Sequence, residues 1–298
     1  IFVSSKVLGF ENDELLGPTG AVAIPEFNTR FTRGMLMDTL PKDFNTLVRL
    51  SGFSHGTDVW LGNARELIVS GTASVLETVG CRDDIMLYLI SMGLDPKMSF
   101  KIMEAVRKGK VKKGGFQEGW VEAMQEHNVP QWYIDSLAKI GYLFPKAHAV
   151  AYVMMAFRIA WFKVHHPLAF YSAYFYRRSQ KGGFDAVLMT HGKDAVVANI
   201  DAIENNENAT DKDEDLLTTL EVAYEYYIRG FEFLPISIYD SHATKFIIKD
   251  GKLLPPFVAI SGLGENAAWD LMRGREGKTF LSVEEVAAAC PKVSKTHI

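Results

Sequence analysis

The longest apolar stretch of the chain, residues 147–176, is the feature that most limits what it can fold into. A helix that crosses a bilayer needs about 20 consecutive apolar residues. This stretch is broken by five residues that disfavour such a helix: Arg158, Lys163, His165, His166 and Pro167. We therefore expect a soluble chain with no membrane partner. Within the stretch, 149–164 is hydrophobic on all sides, which predicts a helix buried as the spine of a domain.

Apolar periodicity favours helices nearly everywhere before residue 230. Apolar side chains recur at three and four positions over 83–92, and a further helix is expected over 95–106. A short helix is expected over 132–140. The small and polar residues of 51–57 indicate a turn between two helices.

After residue 230 the pattern changes to short strands. Residues 246–248 and 253–254 flank the dipeptide Asp250-Gly251, a combination typical of a β-hairpin. The predicted fold class is therefore mainly α, with a helical domain followed by a small α+β module.

Composition narrows the class further. With 298 residues, 48% of them hydrophobic, the chain is long enough for two domains, and disordered and fibrous classes are excluded. Only Cys81 and Cys290 are available, so neither a disulfide framework nor a four-cysteine zinc site can form, and the thiols fit a reducing cytoplasm. Residues 1–10 lack a leader pattern and an initiator Met, so we expect a fragment of a longer protein.

Charge is unevenly distributed although the net value is only −4. Residues 30–178 hold 19 Lys or Arg against 13 Asp or Glu, whereas 185–225 hold 11 acids and two lysines. Five cations lie among the glycines of 107–115, which predicts a mobile cationic loop. An ordinary solvated loop is an equally acceptable interpretation. The five are Arg107, Lys108, Lys110, Lys112 and Lys113.

The clearest short motif is the glycine pair Gly262-Leu263-Gly264 followed by a predicted helix that begins near Glu265. Two glycines let the backbone pass close to an anion at a helix N-terminus, and duplex phosphate is the natural ligand. This arrangement resembles a helix-hairpin-helix motif. A plain glycine turn that caps a helix is the alternative. Residues 291–296 could open a second helix of the same kind.

Two further constellations place polar groups beside helices. In 144–152, Lys146 and His148 precede the long apolar helix, where the backbone dipole would also favour a triphosphate. The alternative is that His148 and Tyr152 are structural residues, since such rings usually belong to a core. In 50–60, Ser54 and His55 offer hydrogen-bonding groups on a short polar turn.

No pattern for a catalytic triad, a zinc protease or a P-loop is present. The pair Asp83-Asp84 consists of chain neighbours that need not face one metal ion. We expect them to be first-turn acids that complement a helix dipole. No catalytic residue and no metal ligand is predicted in this chain.

Taken together and in order, these strings resemble the C-terminal part of the PolC-type replicative DNA polymerases, the DNA polymerase III alpha subunits of low-GC Gram-positive bacteria. The resemblance covers almost the whole chain. The 110–120 segment looks a few residues longer than is usual in that family. The strings that carry it are 23–27, 50–62, 80–85, 101–110, 144–152 and 254–264.

The resemblance implies a fingers domain over 21–230 and a truncated helix-hairpin-helix module over 231–298. Residues 1–20 would be the end of the palm or a linker. It further implies that the catalytic aspartates and the Mg²⁺ they bind lie in palm motifs outside this chain, so the fragment alone would be inactive. Implied partners are primer–template DNA, a dNTP and, through the full-length protein, the sliding clamp and other replisome subunits.

Site residues are carried over by the resemblance in two sets. The nucleotide-binding set is Ser54, His55, Arg82, Arg107, Lys108, Lys146, His148 and Tyr152. The DNA-binding set is Gly262, Leu263, Gly264, Glu265, Asn266, Lys292, Ser294 and Lys295. The competing hypothesis is a non-enzymatic helix-hairpin-helix module that tethers a partner to duplex DNA. Triphosphate binding by the chain would distinguish the two.

Overall fold

A computed structural model describes residues 1–180 and 182–297, and it confirms the mainly α class. Within those residues the one regular sheet is a two-stranded hairpin. The chain divides into two compact units. The central unit comprises Phe2 and Ile24–Arg158. The terminal unit comprises Ile1, Val3–Ala23 and the described residues of the range Ile159–Ile298. The domain boundaries expected at residues 20 and 230 stay predictions.

The central unit is built from short helices, and side chains cap the N-termini of the first two. Thr29 accepts a hydrogen bond from the Thr32 N–H at the first helix, and Asp43 does the same for the second. Kinked helical backbone follows over Trp60–Ala64. The helices are α1 Arg30–Thr39, α2 Phe44–His55, α3 Arg65–Val69, α4 Arg82–Ser91, α5 Pro96–Arg107, α6 Lys110–Gly114, α7 Trp120–Glu126, α8 Gln131–Lys139 and α9 Lys146–His165.

The helices expected over 83–92, 95–106 and 132–140 are confirmed as α4, α5 and α8. Two other expectations are wrong. The segment 51–57 is not a turn, because α2 continues through His55 and its small residues pack in the helix. The basic segment is not one irregular loop either, since 110–114 forms α6 and its Val111 side chain is buried.

Helix α9 differs from the buried spine that the sequence suggested. Its buried stripe consists of Ala149, Val153, Ala156 and Ala160 at helical spacing and ends at the buried Lys163. Its larger apolar side chains face outward and are 43% to 56% exposed. By length and composition α9 could cross a membrane, contrary to expectation, although the core helix of a soluble protein passes the same test. The outward-facing set is Tyr152, Met154, Met155, Phe157, Trp161 and Phe162.

The terminal unit has an aromatic core. Tyr171, Phe175 and Tyr226 are fully buried, and the rings of Phe175 and Tyr226 meet edge to face with centroids 5.9 Å apart. Its regular elements, besides the end of α9, are α10 Pro167–Ser179, α11 Ala186–Met189, α12 Lys193–Glu204, α13 Asp211–Ile228, β1 Ile247–Lys249, β2 Lys252–Leu254, α14 Glu265–Gly274 and α15 Val283–Ala289.

The predicted hairpin is confirmed. Strands β1 and β2 pair antiparallel, with Ile248 opposite Leu253. Asp250 and Gly251 both have positive φ, 52° and 74°, as a two-residue turn between twisted strands requires. A small second core follows, in which Phe257 and Leu271 hold α14 in place.

Candidate functional site

One short segment of the central unit, Tyr142–Lys146, collects several of the sequence-predicted residues. The backbone of Tyr142 pairs with Thr57, next to the end of α2, and that of Phe144 pairs with Cys81, next to the start of α4. We call this segment the junction. Its contacts bring together parts of the chain that are up to 85 positions apart.

The backbone of three of the four predicted cations touches the junction or belongs to it. The Arg82 N–H donates to the Phe144 carbonyl at 3.1 Å, and the Arg107 carbonyl accepts from the Leu143 N–H at 3.2 Å. Lys146 is the last junction residue and begins α9. Lys108 follows Arg107 directly, so these backbone contacts bring all four cationic residues to one region.

Carboxylates balance part of this charge. Glu104 pairs with Arg107 and with Lys108, whose ammonium is 2.8 Å away. Hydrogen bonds from Arg107 and then Lys108 lower the pKa of Glu104 to about 2. The Arg82 guanidinium forms a long ion pair with Asp83, at 3.9 Å, and its side chain is about one-third exposed. The side chains of Arg82, Lys108 and Lys146 keep exposed surface that a ligand can reach.

Asp84 organises the other side of the junction. Its carboxylate accepts the backbone N–H groups of Gly80 at 3.1 Å and Cys81 at 2.8 Å. It also lies 3.2 Å from the Lys146 ammonium and 3.4 Å from the Arg49 guanidinium. The expectation that Asp83 and Asp84 are first-turn acids of a helix is confirmed. The structure adds that Asp84 positions Lys146.

Aromatic and imidazole rings form a continuous ladder beside these cations. His55 stacks on Phe144 at 4.7 Å, Phe144 meets His148 edge-on at 5.0 Å, and His148 lies 4.6 Å from Tyr152. Tyr152 is 46% exposed at the outer end. Exposed rings at this spacing can stack on a nucleobase. Ser54, in contrast, donates back to the Ser51 carbonyl at 3.0 Å within α2.

Glu26, Arg49 and Phe144 belong to this region although the sequence assigned them no role. Glu26 holds the His55 ring by a hydrogen bond and adopts a positive φ of 71°, a conformation that costs energy for a residue with a Cβ. Arg49 donates to the Thr78 carbonyl as well as facing Asp84. Only Glu26 and Phe144 lay in strings that the resemblance singled out; Arg49 gave no signal.

The burial of Cys81 excludes it as a nucleophile. Desolvation raises the pKa of its thiol to about 12, so the group is neutral at physiological pH. Among the described residues, no cluster of three or more His, Cys, Asp or Glu side chains could hold a metal ion.

The glycine pair lies in the terminal unit at the N-terminus of α14. Gly262 has a φ of 80°, and a Cβ there would come within 3.0 Å of the His297 ring. Gly264 is the N-cap of α14 and has open space around its Cα. Leu263 is buried between them. A cavity of about 340 Å³ lies against this loop, with Gln180 and Lys212 in its lining.

The other predicted DNA contacts are less uniform. The Glu265 carboxylate accepts from the Trp269 indole at 3.1 Å, and Asn266 is exposed on the first turn of α14. The Lys292 N–H donates to Asp270 at 2.9 Å, while Ser294 bonds the His297 ring at 2.6 Å. No regular α-helix opens over 291–296; the backbone turns there and ends in a 3₁₀ helix, Lys295–His297. The Lys295 side chain lies outside the described part.

Two family descriptions match separate parts of the chain. "Bacterial DNA polymerase III alpha subunit finger domain" matches residues 10–128, and "Helix-hairpin-helix motif" matches residues 230–298. The "DNA polymerase III PolC-type" of Bacillus cereus is 51% identical over 100% of this chain. The chain belongs to the PolC-type DNA polymerase III family.

Other PolC-type relatives give the same result. The protein of Halalkalibacterium halodurans is 49% identical over 99% of the chain, and that of Streptococcus sanguinis is 50% identical over 96%. In each case the chain spans about one fifth of the relative's length. The chain thus contains the PolC fingers domain and helix-hairpin-helix motif, which confirms the family resemblance seen in its sequence.

Proposed function

We propose that this chain is the fingers and duplex-binding part of a replicative DNA polymerase. It would bind the incoming dNTP and primer–template DNA for template-directed nucleotidyl transfer by the full-length enzyme. The observation that carries this proposal is the junction, where cations and an exposed ring ladder lie side by side. A dNTP combines the two chemistries that these groups recognise, a polyanion and an aromatic base.

The cations would neutralise the triphosphate. A nucleoside triphosphate carries about four negative charges, and more charge develops on the leaving pyrophosphate during transfer. Around the junction, Arg49, Arg82, Arg107, Lys108 and Lys146 face Asp83, Asp84 and Glu104. The Glu26 carboxylate beside His55 adds a fourth acid to the region, so these five cations and four carboxylates have a net charge of +1 before a ligand arrives. Positioned guanidinium and ammonium groups stabilise phosphoryl charge without reorganisation at the moment of reaction.

The ladder would receive the base. His148 and Tyr152 lie on the first two turns of α9, with Tyr152 exposed, and they would flank the nucleotide or the template base. His55 is fixed by Glu26 and stacked on Phe144, so its ring is preorganised near the nascent base pair. The exposed apolar side chains of α9 suit a face that DNA or another polymerase domain covers.

The hairpin loop at α14 would hold the DNA backbone. Gly264 leaves the first N–H groups of α14 open, and these donors suit a phosphate oxygen. Such contacts fix position without reading sequence. Leu263 anchors the loop in the small core beneath it.

The chain's own residues do not fit a polymerase metal pair. Asp84 is already satisfied by two backbone N–H groups and two cations, and Asp83 accepts the Lys146 N–H at 2.8 Å. Mg²⁺ ligands would therefore lie in parts of the full-length enzyme outside this chain. The sliding clamp and other replisome subunits would be reached through such parts as well, and the location would be cytoplasmic.

The nucleotide assignment is tested in the full-length polymerase. Changing Arg82, Arg107, Lys108 or Lys146 singly to Ala should raise the apparent KM for dNTP about ten-fold, because each change removes a charge-assisted contact worth roughly 1.5 kcal/mol. Steady-state primer extension measures the effect. Wild-type KM in all four variants would refute the assignment.

A matched control is available on the same helix as Arg107. Lys97 is an exposed cation at the start of α5, about 15 Å along the axis from Arg107. Lys97→Ala removes the same charge from the chain and should leave the KM for dNTP unchanged. If it raised the KM as much as Lys146→Ala does, net charge rather than the junction would be responsible.

A further inference from the structure

The loop before α14 contains a tight turn. The Leu263 N–H donates to the Ile260 carbonyl at 3.0 Å, which closes a four-residue β-turn over 260–263. Gly262, at the third position of this turn, has a φ of 80°. A positive φ at that position is what a type II turn requires, and glycine supplies it without steric cost. The central peptide of the turn is therefore the one between Ser261 and Gly262.

The orientation of this peptide is what distinguishes the two common turn types. A change from type II to type I would rotate the central peptide by about 160°. The carbonyl and the N–H of a trans peptide point to opposite sides, so this rotation would exchange their directions. A group that holds the Ser261 carbonyl in place therefore also decides where the Gly262 N–H faces.

The His297 ring holds that carbonyl. Its Nε2 atom lies 3.1 Å from the Ser261 oxygen. A carbonyl oxygen can only accept, so Nε2 carries the hydrogen, and in a neutral ring Nδ1 is then an acceptor. The Ser294 hydroxyl, 2.6 Å from Nδ1, donates to it, and the Thr296 hydroxyl lies 2.8 Å from the Ser294 oxygen. These hydrogen bonds select one tautomer and one orientation of the ring.

The Gly262 N–H remains open on the other side of the peptide. Among the described residues, no group accepts a hydrogen bond from it. Gly262 lines the cavity of about 340 Å³ beside this loop, whereas His297 lines a separate cavity. A backbone donor without a protein partner needs water or a ligand to satisfy it. This N–H is therefore available to a phosphate oxygen.

We propose that His297 is a positioning residue for DNA binding. It fixes the central peptide of the turn so that the Gly262 N–H joins the open N–H groups of α14 in holding a DNA phosphate. The proposal rests on the proposed function of this loop. Ser294, which the resemblance assigns to DNA contact, acts through His297 instead. The ring also occupies the space beside Gly262, where a Cβ would lie 3.0 Å from it.

Duplex binding by the 298-residue chain tests this role, with fluorescence anisotropy of a labelled duplex as the measurement. His297→Leu keeps bulk beside Gly262 but cannot donate to Ser261, so affinity should fall about five-fold, the equivalent of one hydrogen bond. His297→Gln should bind like the wild type, because its amide nitrogen reaches as far as Nε2 and can donate to the same carbonyl.

His297→Asn is the matched control for this rescue. It carries the same amide on a side chain that is shorter by one methylene group, so it should bind like His297→Leu. Wild-type affinity in His297→Leu would overturn the proposal. A loss in His297→Gln as large as that in His297→Leu would overturn it as well.

Ser294→Ala separates an indirect role from direct DNA contact. If Ser294 orients the ring, its removal should weaken duplex binding about three-fold in the wild type and have no further effect in His297→Leu, because residues in one hydrogen-bond network are coupled. An equal loss in both backgrounds would show that Ser294 meets DNA itself, contrary to its role in the proposal.

A second measurement needs no DNA. Long-range ¹H–¹⁵N NMR of the histidine rings should show His297 as the Nε2–H tautomer, with its signal identified by its absence in His297→Leu. The Nδ1–H tautomer would overturn the proposal, because such a ring cannot donate to the Ser261 carbonyl.

The outcome for Gly264→Val distinguishes this proposal from the proposed function. If Gly264→Val leaves duplex affinity unchanged, the proposed duplex site fails, and the tautomer still decides whether His297 holds the turn. If Gly264→Val weakens duplex binding and His297→Leu does not, the site stands and the role of His297 is wrong.

Discussion

Lys163 is a cation with no exposed surface, and its surroundings show how single residues hold the terminal unit together. Its ammonium donates to the Gly20 carbonyl at 2.8 Å and lies 2.7 Å from the carboxylate of Glu225, which is buried as fully. The Tyr171 hydroxyl donates to the other side of Glu225 at 2.6 Å. These partners offset the cost of burying both charges.

Removing only one charge of the Lys163–Glu225 pair should lower the free energy of unfolding far more than neutralising both charges. Lys163→Met leaves the Glu225 carboxylate buried without a cation, so the free energy of unfolding should fall by about 3–5 kcal/mol. Adding Glu225→Gln removes that uncompensated charge and keeps an acceptor for Tyr171, so stability should partly return. Urea denaturation of the three proteins checks this. A double variant no more stable than Lys163→Met would contradict it.

Individual residues were predictable only where the local string already suggested chemistry. Lys146, His148 and Tyr152 stood out because they precede or open an apolar helix, and the structure places the last two in one ladder. Arg49 could not be found in this way. It meets Asp84 35 positions away in sequence, and nothing near it in the chain marks it as different from a surface arginine.

At the scale of elements, the loop before α14 gives the sharpest experiment. Gly264→Val adds a side chain at a position with open space and a φ of −72°, so the fold should tolerate it. If a phosphate approaches this backbone, the added methyl groups exclude it, and duplex affinity should fall about ten-fold. Fluorescence anisotropy with a labelled duplex measures this.

The control for Gly264→Val is Gly34→Val, at another glycine with open space around its Cα, on α1. It should leave duplex binding unchanged. Gly264→Val in the full-length enzyme should likewise leave the KM for dNTP unchanged. The division between junction and hairpin would be refuted if Gly264→Val raised that KM and spared duplex affinity.

Element types followed from sequence better than element limits did. The helices α4, α5 and α8 were predicted because their periodicity is strong and caps or Pro mark their starts. The predicted end of α2 was wrong for a physical reason. Gly52 is small because the helix passes close to another segment: a Cβ there would lie 2.3 Å from the Gly80 carbonyl. A glycine required by packing looks, in sequence, like a glycine required by a turn.

At the scale of the whole molecule, the length of the chain allowed for two domains but could not show which parts of the chain each compact unit contains. The terminal unit includes residues 3–23 together with the chain from 159 onward. Its contacts confirm this: the Tyr224 hydroxyl donates to Asp13 at 2.9 Å across 211 positions. Periodicity reports only near neighbours, so such pairings are invisible in a single sequence.

Because the two units have separate cores, we expect equivalent core substitutions to lower the thermal stability of each unit separately. Leu137 in the central unit and Leu220 in the terminal unit are both fully buried, so each Leu→Ala substitution should cost about 2–5 kcal/mol. In differential scanning calorimetry of the 298-residue chain, we expect two components. Leu137→Ala should lower the midpoint of one by roughly 5–15 °C and Leu220→Ala that of the other. A single transition that both variants shift equally would show that the two units unfold as one.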